Sequence, residues 1–170
     1  MNLKKDYSAP RVQSLSIHEW HALGQTGAML PVTITLEGDS MRPLIRRGKD
    51  PVTIIPLNRA LKKGDVVLFQ GGQNRFVVHR VYRMKDAFVQ TLGDNCYNPD
   101  PWMPLENVWG LVIRYTKNGK THVLDADSAR RWGIFWMTIR PIRVFLKRCL
   151  HLSKRIIKKI LRIIGVKRYQ

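Results

Sequence analysis

A chain of 170 residues, 44% of them apolar, has enough sequence for one domain with an ordinary core and a modest appendage. The charge is lopsided: 30 Lys and Arg against 12 Asp and Glu give a formal +18, which calls for an anionic partner, either nucleic acid or an acidic membrane surface. Two cysteines, Cys96 and Cys149, exclude a disulfide-built scaffold, and two free thiols in a reducing compartment are expected, with no metal or cofactor.

Residues 1–13 are polar and broken by Pro10, and they lack the apolar stretch of a signal peptide. Nowhere does the chain run through about 18 uncharged apolar residues, so no transmembrane helix is expected and the default location is cytoplasmic. From Ser14 to Met29 the residues Leu15, Ile17, Trp20, Leu23 and Met29 fall at loosely helical spacing, with Ser16 placed to cap the start.

From Leu30 onward the period changes to that of strands. Val32–Leu36, Pro51–Pro56, Asp65–Phe69, Arg75–Tyr82, Ala87–Leu92, Val108–Tyr115 and Thr121–Leu124 are short, rich in β-branched residues and separated by turn formers. Gly71-Gly72-Gln73-Asn74 and Lys117-Asn118-Gly119-Lys120 read as hairpin turns. The fold class that follows is mainly β: a small, curved antiparallel sheet or partial barrel with a short N-terminal helix and a C-terminal amphipathic helix. The corresponding division is a domain over residues 1–127, with its core in 30–125, and a basic segment over 128–170.

Gly38-Asp39-Ser40-Met41-Arg42-Pro43 directly follows a strand, which can hold a hydroxyl at a sheet edge where a substrate backbone could lie. An unassisted serine is a poor nucleophile at neutral pH and needs a base within hydrogen-bond reach. His79, inside the strand Val77-Val78-His79-Arg80-Val81, has the ordinary pKa for that work. A carboxylate that orients the imidazole would complete a triad. Asp94 and Asp100, both in the loop after the next strand, are the two candidates, and the residues alone do not choose between them.

These blocks occur in a particular order: Gly38-Asp39-Ser40-Met41-Arg42-Pro43, Gly64-Asp65-Val66-Val67, Val78-His79-Arg80-Val81, Gly93-Asp94-Asn95 and Val108-Trp109-Gly110. Together, across roughly residues 30–112, they resemble the signal peptidase/LexA-like serine peptidase superfamily. Bacterial signal peptidases and LexA-type proteins use a Ser-Lys dyad, whereas the strand that would carry the lysine here carries His79. The chain is therefore similar to the endoplasmic-reticulum and archaeal subtype, in which histidine takes the lysine's place. The resemblance implies Ser40 as nucleophile, His79 as general base, Asp94 or Asp100 as orienting carboxylate, and the Ser40 N–H among the oxyanion donors. It also implies a peptide or protein precursor as substrate. A rival reading keeps the fold but not the chemistry: an inactive regulator or adaptor that binds membrane or nucleic acid.

Residues 128–170 contain 13 Lys and Arg and no acidic residue. Ile142, Phe145, Leu146, Cys149, Leu150, Ile156, Ile157, Ile160, Leu161 and Ile164 keep an amphipathic rhythm, with Pro141 suited to a first helical turn and Gly165 to a stop. Trp132, Phe135 and Trp136 precede the cationic stretch, and aromatic plus basic residues favour an anionic membrane surface over nucleic acid as the partner of 132–164. His18 and His21 are read as surface histidines, and Trp102 and Trp109 as packing residues.

Overall fold

The computed structural model describes residues 16–72, 75–146, 149–150 and 153. The segment that opens the description, α1 (Ile17–Gln25), starts with a capping box: the Ser16 hydroxyl accepts from Glu19 N–H while the Glu19 carboxylate accepts from Ser16 N–H. It stops short of Met29 because Gly27 turns into the left-handed region at φ +89° and the Thr26 hydroxyl takes up the Leu23 carbonyl.

Eight strands follow: β1 (Val32–Thr35), β2 (Pro51–Pro56), β3 (Val66–Gln70), β4 (Phe76–Lys85), β5 (Phe88–Leu92), β6 (Met103–Pro104), β7 (Val108–Lys117) and β8 (Lys120–Val123). They form one curled antiparallel sheet in the order β1-β2-β7-β3-β4-β5-β6. The last strand, β8, folds back on the far half of β7, where Tyr115 pairs with His122, while β3 takes the near half through Leu111 and Val67. The mainly β, curved-sheet expectation therefore holds. What the residues did not announce is β6, a two-residue strand interrupted by Pro104 and too short to carry any period.

The central strands are buried on both faces, which is why Val66–Phe69 reads as an unbroken apolar run. Alternate residues serve separate clusters. Val66 and Leu68 join Trp20, Met41, Ile45, Val52, Ile54 and Val112, while Val67 and Phe69 join Ile55, Val81, Val89, Leu111 and Ile113. Against the first cluster α1 lays Trp20, whose indole N–H donates to the Leu30 carbonyl at 2.7 Å.

The chain divides into two compact units, residues 1–134 and 135–170. Besides the sheet and α1, the first unit takes in the opening turns of α2 (Asp127–Thr138). Gly64, at φ +94°, has the Arg130 carbonyl 2.9 Å from where a Cβ would stand. In the second unit residues 140–146 are helical, and the Arg143 guanidinium lies 3.8 Å from the centre of the Trp136 ring. Ile142, Phe145, Leu146 and Leu150 are exposed. The expected apolar positions from Ile156 to Ile164, the stop at Gly165, the helix start at Ser14 and Leu15, and the turn residues Gln73 and Asn74 lie outside the described residues. No helix among the described residues is long and apolar enough to cross a membrane.

Gly110 is where α1 meets the sheet. A Cβ there would stand 2.7 Å from the Ile55 carbonyl and 2.8 Å from the Trp20 ring, leaving no space for a methyl group. Gly110→Ala is expected to cost about 1–3 kcal/mol through overpacking, read as a lower urea midpoint at unchanged m-value.

Candidate active site

His79 and Arg80 are consecutive on β4, so their side chains leave opposite faces of the sheet. The face of His79 also holds Val77, Val81 and Phe69, whose ring centre is 6.0 Å from the imidazole. Across the strand pair, Val81 is opposite Thr91 and Arg80 opposite Leu92. Continued one residue past the end of β5, that register sets Gly93 opposite His79 and turns Asp94 toward the side of Arg80.

This parity separates the two candidate carboxylates. Asp94 forks onto Arg80, accepting from Nε and Nη2 at 2.9 Å each, while Nη1 donates to the Gly64 carbonyl at 2.8 Å. Arg80 is 2% exposed and Asp94 is likewise buried, so the pair is a desolvated structural bridge. Gly133 of α2 packs directly on that guanidinium: a Cβ there would collide with it.

Asp100 is the carboxylate that reaches the histidine. His79 Nδ1 donates to Asp100 Oδ2 at 2.7 Å, and the same oxygen accepts from the Thr91 hydroxyl at 2.6 Å. The Asp100 backbone is fixed too, its N–H donating to the Thr91 carbonyl at 2.8 Å and its C=O accepting from Gln90 Nε2 at 3.0 Å. The returning loop thus adds a rung beside β5 and presents its carboxylate to His79 at a set angle.

Burial disfavours the imidazolium, but the Asp100 hydrogen bond, and then the Cys96 sulfur near the ring's other edge, outweigh it and push His79 up to about 9. Asp100 moves the opposite way: burial pushes it up, but His79 and Thr91 stabilise the carboxylate and hold it below its usual value. His79 Nε2 is buried and has no hydrogen-bond partner.

Ser40 begins a turn in which Ile45 N–H donates to the Met41 carbonyl, and Met41 and Ile45 are both fully buried in the first cluster. Those two apolar anchors fix the turn from below. From the side, Asn95 N–H donates to the Ser40 carbonyl at 2.7 Å and the Asn95 amide to the Asp39 carbonyl at 3.2 Å. The loop after β5 therefore carries both Asp100 and the clamp on Ser40. At the position of a Cβ on Gly93, the Ser40 carbonyl oxygen and His79 Nε2 would each be 2.9 Å away, so only glycine lets the serine turn and the histidine approach. Among the described residues neither the Ser40 hydroxyl nor its N–H makes a hydrogen bond.

A groove of about 1110 Å³ opens beside this cluster, with His79 and Asp100 in its wall and Phe69, Phe76, Trp102 and Met103 giving it an apolar lining. Gly38, two residues before Ser40, lines it as well. Of the four residues nominated by sequence, Ser40, His79 and Asp100 come together, and Asp94 serves the fold. Arg80, Thr91 and Cys96 join the site without any local sequence pattern that assigns them a role there. Thr91 was legible in principle, since it shares a face with His79 on the neighbouring strand. His18 is exposed and His21 half-buried, as expected of surface histidines, and both touch Trp109: His21 stacks on it at 4.0 Å and His18 meets it edge-on at 5.2 Å.

Removing one partner of a buried ion pair strands the other, so Asp94→Ala is expected to cost about 3–5 kcal/mol in chemical unfolding. Asp100→Asn, in a half-buried site where the amide still fits, is expected to cost much less. When compared with known proteins, the chain matches no family model and no curated protein.

Proposed function

We propose that the chain is a serine endopeptidase in which Ser40 is the nucleophile, His79 the general base and Asp100 the orienting carboxylate. One observation carries the reading: a buried imidazole whose Nδ1 is tied to a carboxylate and whose Nε2 is unpartnered beside the serine turn. That is the arrangement a hydroxyl needs in order to lose its proton during attack. The resemblance of the five sequence blocks to the signal peptidase/LexA-like superfamily, Ser-His subtype, supports the same assignment.

In this mechanism a peptide lies in the groove with its carbonyl over Ser40. The Ser40 oxygen bonds to the carbonyl carbon while its proton passes to His79 Nε2, and Asp100 compensates the imidazolium that forms. The Ser40 N–H, without another acceptor among the described residues, stabilises the oxyanion. His79 then protonates the leaving amine, and water releases the acyl group by the reverse sequence. A precursor segment with apolar side chains suits the groove wall built by Phe69, Phe76 and Trp102.

The second unit supports docking of the enzyme on an anionic membrane surface. Its described residues expose Phe135, Ile142, Phe145, Leu146 and Leu150, and residues 135–170 bring 11 basic residues and no acid. At about 1 kcal/mol for each cation close to an anionic surface, half of them would hold the chain there. Nucleic acid would not call for so many exposed aliphatic side chains.

Ser40→Ala is expected to abolish hydrolysis of a peptide library by the full-length chain while leaving its thermal unfolding unchanged; equal turnover by the variant rejects the assignment. Because only neutral His79 accepts a proton, kcat/KM is expected to climb about tenfold per pH unit and level off near pH 9. Asp100→Asn removes the group that holds the proton on, so its rising limb shifts to lower pH and the plateau falls about 10²- to 10⁴-fold. The same shift acts on stability. A folded pKa above the unfolded value of 6.5 stabilises the protein fully below that pH, and the contribution fades as pH rises through about 9. For the membrane, the chain is expected to sediment with phosphatidylglycerol vesicles but not with phosphatidylcholine vesicles, and to be released by salt and by Ile142→Asp with Phe145→Asp.

A further inference from the structure

Three groups crowd the space over Gly93. A Cβ there would lie 2.7 Å from Cys96 Sγ as well as 2.9 Å from His79 Nε2 and the Ser40 carbonyl oxygen. The mechanism above uses His79 and Ser40 and gives the thiol no task. Cys96 is free of any disulfide and only half-buried, so small solutes reach it. It is held in place by its own N–H, which donates to the Gly93 carbonyl at 2.9 Å. His79 is 6% exposed and its Nε2 has no hydrogen-bond partner. An unpartnered buried imidazole nitrogen lies beside an accessible sulfur, with Asp100 braced behind the ring, so a base is in place to take the thiol proton as the sulfur attacks.

We propose that Cys96 is a peroxide-reactive thiol whose oxidation closes the Ser40–His79 site. The closure rests on the serine-peptidase reading; the thiol's reactivity does not. As the Cys96 thiol passes its proton to His79 Nε2, the sulfur attacks one oxygen of hydrogen peroxide, an S–O bond forms, and the O–O bond breaks. Sulfur gives up two electrons, and the departing hydroxide takes the imidazolium proton to leave as water. The new sulfenic oxygen enters the space shared with Nε2 and the serine turn, where it occupies the base and blocks the approach of a substrate carbonyl. Two equivalents of a thiol reductant restore the cysteine, the first forming a mixed disulfide with loss of water and the second releasing it.

The test uses the full-length chain, hydrogen peroxide and dimedone, with the adducts located by peptide mass mapping. Cys96 is expected to gain adduct about tenfold faster than Cys149, and His79→Gln is expected to bring it down to the rate of Cys149. Asp100→Asn gives the same comparison should His79→Gln not fold. Equal rates at the two cysteines, or a Cys96 rate untouched by both substitutions, overturn the proposal. This readout needs no peptidase activity. Closure is read separately, as fluorophosphonate labelling of Ser40 after peroxide divided by labelling before it. The ratio is expected to fall about tenfold in the wild type, to recover with dithiothreitol, and to stay near one in Cys96→Ser. A wild-type ratio near one overturns closure. Absence of labelling in untreated protein overturns the peptidase reading, and closure with it, and leaves the reactivity of Cys96 to the dimedone arm.

Discussion

Along β4 the side chains leave the sheet on alternate sides, and at residues 79 and 80 both sides are buried and polar. A histidine enters one face and an arginine the other. Neither charge tolerates burial alone, so each demands a carboxylate on its own side. The loop after β5 supplies both, Asp94 to Arg80 and Asp100 to His79, and much of the local architecture follows from meeting these two demands at once.

On the arginine side the result is a structural joint. Its guanidinium spends three donors on Asp94 and the Gly64 carbonyl, and α2 closes over it with a glycine, the one residue that fits. Arg130 continues the network on the same helix through its ion pairs with Asp65 and Asp127. On the histidine side the result is a polarised ring, braced at Nδ1 and unpartnered at Nε2. Because the same loop clamps the Ser40 carbonyl through Asn95, the brace and the serine turn are set by one segment of chain. A disturbance of the Gly93–Asp100 loop would reach both.

Much of the fold was legible because strand residues repeat with period two and the turns are marked by Gly, Asn and Pro. The unbroken apolar run Val66–Phe69 fits the burial of both faces of that strand. What escaped was what has no period: the two residues of β6 and the packing of α2 on Gly64 and Arg80, which receive a helix far along the chain. For the site, motif order nominated Ser40 and His79 but left Asp94 and Asp100 open. The choice was latent in strand parity: Asp94 falls in step with Leu92, opposite Arg80, so it could not face His79. Asp100 depends on how the loop returns to Thr91, which no local pattern encodes. Cys96 was read only for its pairing chemistry, since its closeness to His79 arises from that same return.

The central claim is that Ser40 is made nucleophilic by an imidazole held on Asp100. Its most direct measurement is the second-order rate at which a fluorophosphonate forms an adduct, with the modified residue located by mass mapping, in wild type, Ser40→Ala and His79→Ala. An adduct is expected on Ser40 alone, absent from Ser40→Ala and formed at least about 10²-fold more slowly in His79→Ala. An adduct elsewhere, or equal rates with and without His79, would contradict it.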